Sequence, residues 1–99
     1  MKYIQSEDVL KMETIRGYKP SMDSMSGAIE WSNGWDDEKH LYATPNWEVE
    51  GHCPVSIYTD EGDYQDITLL KFSDMSKAEQ TTKYIEIVSD VIDTLLENR

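Results

Sequence analysis

The sequence predicts an α+β fold: an antiparallel β-meander sheet of three to five strands, a C-terminal amphipathic helix packed on one face, and a short N-terminal helix. Three observations predict it. A long stretch near the C-terminus repeats its apolar residues every three or four positions. A pair of alternating runs flanks a Gly-containing acidic turn. The β-like runs are joined by connections too short for the crossovers that parallel strands require, so the pairing is antiparallel and a helix on one face is the economical cover.

The elements follow in order. Ser6 is a candidate cap for a helix over about 7–16, closed by Gly17, with an imperfect apolar period at Val9, Leu10, Met12 and Ile15. Residues 17–27 lack any period and read as an exposed loop. Gly27 to Ser32 reads as a strand ended by Asn33-Gly34, and Lys39 to Ala43 as another ended by Thr44-Pro45. A short strand, Trp47-Glu48-Val49-Glu50, stops at Gly51. Pro54 to Thr59 and Tyr64 to Phe72 form a hairpin around Asp60-Glu61-Gly62-Asp63. Ser76-Lys77-Ala78-Glu79 is a capping box that opens a helix over about 77–97. Its apolar face is Thr81, Tyr84, Ile85, Val88, Val91, Ile92 and Leu95, widened by Ile87 and Leu96.

The chain has 99 residues, enough for one domain with a modest core. No apolar run approaches the roughly 20 residues that span a bilayer. The amino terminus turns acidic at Glu7-Asp8 before a signal-like stretch develops, so a cytoplasmic setting is the expectation. The single Cys53 agrees, because it has no internal disulfide partner.

Charge is the strongest compositional signal. Nine basic and twenty acidic residues give a net charge of −11. Residues 1–29 hold four acids and four bases, and residues 67–99 hold six acids and four bases. Residues 30–66 hold ten acids and one base, Lys39, a net of −9. Such a surplus repels nucleic acid and anionic membrane and attracts basic surfaces. Trp31, Trp35, Trp47, Tyr42, Tyr58 and Tyr64 share this stretch; Trp47 and Tyr42 are expected in the core, and aromatic anchors beside carboxylates suit protein binding.

No motif for catalysis, cofactor or metal has the required spacing. His52-Cys53 with His40 lacks paired metal-ligand spacing, and adjacent strand residues point to opposite faces, so a buried Cys beside a surface His is the simpler reading. Asp60, Glu61, Asp63 and Asp66 do not meet the calcium-loop pattern. The expectation is a non-enzymatic protein without cofactor. Its candidate partner-binding residues are Glu30, Trp31, Trp35, Asp36, Asp37, Glu38, Glu48, Glu50, Asp60, Glu61, Asp63 and Asp66. Glu48 and Glu50 on one strand face would sit about 6.8 Å apart, near two axial phosphate steps of about 3.4 Å in DNA. The composition therefore points to an inhibitor or neutralising partner of a basic nucleic-acid-binding protein: a DNA mimic, such as a phage anti-defence protein (anti-CRISPR or anti-restriction) or a nuclease immunity protein. The alternative is a homo-oligomeric assembly or adaptor module using an exposed sheet face. Either a monomer or a homodimer is compatible with the sequence.

Overall fold

The computed structural model describes residues 3–33, 40–46, 49–59, 64–69 and 74–97, with positions 64–68 taken at the level of the backbone. Its elements run α1 (Ser6–Val9), β1 (Lys19–Met22), β2 (Ile29–Ser32), β3 (Leu41–Pro45), β4 (Cys53–Thr59), β5 (Tyr64–Leu69) and α2 (Lys77–Glu97). The strands form one antiparallel sheet in the order of the sequence, a meander without crossovers.

Alternation along the strands separates two faces. Ile29 and Trp31 of β2, Leu41 and Ala43 of β3, and Cys53, Val55 and Ile57 of β4 are buried, while their strand neighbours are only half-buried. The buried set joins Tyr84, Val88 and Ile92 of α2, and Tyr3, Ile4, Val9 and Tyr18 from the N-terminal region, in one core cluster. α2 thus covers one face, as its period requires. Ser76 caps α2 as expected, its hydroxyl accepting the Glu79 N–H at 3.2 Å. The Glu79 carboxylate accepts the Ser76 hydroxyl at 3.1 Å instead of a backbone amide, so the reciprocal half of the capping box is not made.

The buried row of α2 is Gln80, Tyr84, Val88 and Ile92, four residues apart throughout. Gln80 is fully buried and was not foreseen as part of the core-facing stripe. Its Oε1 accepts the Ile4 N–H at 3.1 Å and its Nε2 donates to the Met75 carbonyl at 3.4 Å. A buried amide with both ends satisfied ties the beginning of the described chain to the first turn of the last helix.

Three sequence expectations are corrected. The N-terminal helix spans only Ser6–Val9, with Gln5 rather than Ser6 at the cap position. It cannot continue to Arg16, because Ile15 and Tyr18 exchange backbone hydrogen bonds at 2.9 Å across Arg16 (φ 51) and Gly17 (φ 86). Two consecutive positive φ values make a hairpin-type turn, not a helix end. Residues 17–27 are not a loop throughout, since β1 lies inside them; Pro20 sits opposite Trp31 and is buried. The strand expected at Trp47–Glu50 fails at its end. Val49 and His52 pair across Glu50 (φ 51) and Gly51 (φ 82), a second tight turn of the same kind, and Trp47 and Glu48 lie outside the described residues. Leu70 to Phe72, expected to extend β5, also lie outside them.

Candidate partner-binding surface

The meander decides where the acidic connections leave the sheet. Consecutive turns alternate between the two ends, so the β2–β3 and β4–β5 connections start and finish at the same end. Ser32 closes β2, Leu41 opens β3, Thr59 closes β4 and Tyr64 opens β5, and the register holds them side by side through Trp31–Leu41, Leu41–Thr59 and Tyr58–Tyr64. Asp36, Asp37 and Glu38 belong to the first connection; Asp60, Glu61 and Asp63 belong to the second. Six of the ten central acids are therefore tethered to one end of the sheet. These six residues and Trp35 lie outside the described positions, so only their anchor points are located.

The C-terminal half of α2 reaches the same end. Lys19, the first residue of β1, pairs with Ser32, and Arg16, just before it, makes an ion pair with Asp93 of α2. The last turn of α2 holds Glu97 and no base. The aligned peptide dipoles of the helix give that terminus a partial negative charge of their own.

Lys and Arg from the chain ends do not cancel the central acids in the ion pairs observed among the described residues. Arg16 pairs with Asp93, and Lys77 pairs with Asp8 at 3.1 Å; all four residues lie outside the 30–66 stretch. Burial opposes ionisation of Asp8 more than any single partner favours it. The Gln5 N–H at 2.8 Å, Lys77 and Lys11 together still hold its carboxyl below the usual carboxylate value.

The face of the sheet turned away from α2 carries the polar half of the alternation. Glu30 Oε1 lies 2.9 Å from His40 Nδ1, an acid of the central stretch partnered within that stretch. Tyr42 and Tyr58, opposite each other in register, stack with ring centroids 4.7 Å apart and 12° between planes. Asn46 Nδ2 donates to the Ser56 hydroxyl at 2.7 Å. Tyr42 was expected in the core and is instead half-buried on this polar face.

The candidate residues divide accordingly. Trp31 is corrected: it is fully buried, and its indole Nε1 donates to the Tyr84 hydroxyl at 3.0 Å, so none of its surface remains for a partner. Glu50 is exposed, but it stands at a turn near the opposite end of the sheet, where β3 leads to β4. Its positive φ removes the strand geometry behind the 6.8 Å spacing to Glu48 expected of a strand face. Glu30 lies on the open face, and Asp66 occupies the β5 position paired with Ser56. Cys53 is buried with its Sγ near the Ile4 and Asn46 carbonyls, and His40 is committed to Glu30 rather than to the thiol. No group of three His, Cys, Asp or Glu among the described residues is placed to hold a metal ion. No helix among them is long and apolar enough to cross a membrane.

Sequence reasoning missed the end-clustering of the acidic connections, whose only signal was the odd–even order of the strands. Comparison with protein-family models, curated proteins and solved structures gave no match.

Proposed function

We propose that the protein is a small, non-enzymatic, cytoplasmic inhibitor or neutralising partner of a basic nucleic-acid-binding protein, presenting carboxylates where that partner would meet phosphates. One observation carries the reading: the two connections bearing Asp36, Asp37, Glu38, Asp60, Glu61 and Asp63 leave the sheet at one end. The C-terminus of α2 adds negative potential at that end. Concentrating like charge destabilises a compact state, and a cationic partner offsets that cost on binding. Electrostatic complementarity of this kind sets on-rate and specificity.

The test is competition. A basic DNA-binding protein is titrated with this chain in the presence of labelled duplex DNA, at about 50 and 200 mM salt. The expected result is displacement of DNA at low salt and roughly tenfold or greater weakening at high salt. Reversal of Asp36, Asp37 and Glu38, or of Asp60, Glu61 and Asp63, to Lys should abolish displacement. Affinity that is indifferent to salt and to these reversals rejects the reading.

The stacked Tyr42 and Tyr58 on the open face support a second reading, assembly through that face. Light scattering of wild type and Tyr58→Ala separates the two, since only assembly through this face makes the mass depend on Tyr58.

A further inference from the structure

The two edges of the sheet differ in what their backbones offer to a further strand. In an antiparallel sheet the N–H and C=O of one residue point to the same side, and successive residues alternate sides. One hydrogen bond fixes the phase for the whole sheet: the Asn46 N–H donates to the Pro54 carbonyl at 2.9 Å, so Pro54 bonds toward β3. Ser56 and Tyr58 share that phase, and Val55 and Ile57 bond toward β5. Across β5, Gln65, Ile67 and Leu69 are then the residues bonded to β4, and the backbone groups of Tyr64, Asp66 and Thr68 point away from the sheet. Among the described residues no strand lies beyond them.

Carried the other way, the same phase sends Glu30 and Ser32 toward β1 and turns Pro20 and Met22 outward. Pro20 has no N–H, and it stands at an outward position of the β1 edge, which guards that edge against a further strand. Among the described residues the β5 edge has no such guard: three alternate residues carry both an outward donor and an outward acceptor.

We infer that the β5 edge is the docking site for an extended, basic segment of the partner, which adds to the sheet as a sixth strand. This rests on the proposed function and adds the mode of contact. The occupant is chosen by charge. β5 contains Asp66 and follows Asp60, Glu61 and Asp63 directly, and no Lys or Arg occurs between Lys39 and Lys71. A second copy of this chain would bring another net charge of −11 to the same edge and be repelled. A Lys-rich strand gains main-chain hydrogen bonds and charge attraction together.

The experiment uses a labelled ten-residue peptide alternating Lys with Val or Thr, and the same peptide N-methylated at alternate amides, in both phases. Anisotropy with the full chain should show the unmethylated peptide binding at least tenfold more tightly than one methylated phase. Thr68→Pro removes an outward N–H without touching the β4 ladder; it should lose tenfold or more of that affinity while keeping the wild-type circular dichroism. If the variant does not fold, the methylated pair on wild type still decides. Equal binding of all peptides with a steep salt dependence overturns the edge inference and leaves the acidic-partner reading standing. Salt-insensitive binding that the acid-to-Lys reversals do not change overturns that reading instead. No peptide binding at all, or a dimer that Thr68→Pro dissolves, overturns the assigned occupant.

Discussion

The two faces of the sheet are made from the same strands and behave as different materials. On the covered face, a chain of hydrogen bonds runs from the Trp31 indole to the Tyr84 hydroxyl at 3.0 Å and on to the Ala43 carbonyl at 2.6 Å, entirely inside the core. On the other face, Tyr42 and Tyr58 stack and Glu30 meets His40, all only half-buried. The first arrangement closes a polar circuit that water cannot reach, so each missing partner costs its full desolvation. The second leaves water as a substitute for every partner. The same residue types therefore hold the fold on one side and decorate it on the other.

Substitutions can break that contrast or sharpen it. Trp31→Ala should have the largest effect, about 3–5 kcal/mol, seen as a lower urea midpoint at unchanged slope. Tyr84→Phe removes one oxygen and leaves both the indole N–H and the Ala43 carbonyl without it. A loss of about 2–4 kcal/mol is expected, measured the same way. Burial also pushes the Tyr84 hydroxyl above its ordinary value of 10.0, outweighing the Trp31 hydrogen bond that favours ionisation. A raised folded value means stability that is present below pH 10 and lost as the pH climbs past it. Alkaline titration should therefore destabilise wild type more than Tyr84→Phe.

Asp8→Asn should cost about 0.5–1 kcal/mol at neutral pH, because it removes the charge that pairs with Lys77 and strengthens the bond accepted from the Gln5 N–H. Because its folded value is lowered from 3.8, the contribution exists above that value and fades as the pH falls below it. Wild type and Asp8→Asn should converge in acid. Tyr58→Ala should be smaller again, about 0.5 kcal/mol, the loss of a cross-strand aromatic pair. A cost equal to that of Trp31→Ala would mean that something covers the open face.

The fold was legible where local chemistry and burial agree. α2 begins after its Ser76 cap and follows its apolar period from Lys77 to Glu97. The exception is Gln80, whose amide is polar by every scale and yet buried, because Ile4 and Met75 supply partners that sequence spacing cannot show. β1 escaped notice because Pro20 argues against a central strand, while at an edge the missing N–H has no ladder to break. The two tight turns were obscured by Arg16 and Glu50, non-glycine residues that adopt positive φ beside Gly17 and Gly51. Trp31 was counted among the partner-binding residues because it shares the acidic stretch, although strand alternation gives Glu30 and Trp31 opposite faces. The acidity of the central stretch could be counted from the sequence. Its clustering at one end could not, because that follows from the number of strands between the two acidic connections, to which the strand expected at Trp47–Glu50 adds one.

The Ile4–Gln80 bond also has a meaning for biosynthesis. A ribosome emits every strand of the sheet before it emits the helix that covers them. Until α2 emerges, the nascent meander holds Trp31, Leu41 and Val55 on a bare apolar face, and Ile4 waits for a partner 76 residues downstream. Closure thus waits for the synthesis of α2, and the surplus of carboxylates keeps chains apart until then.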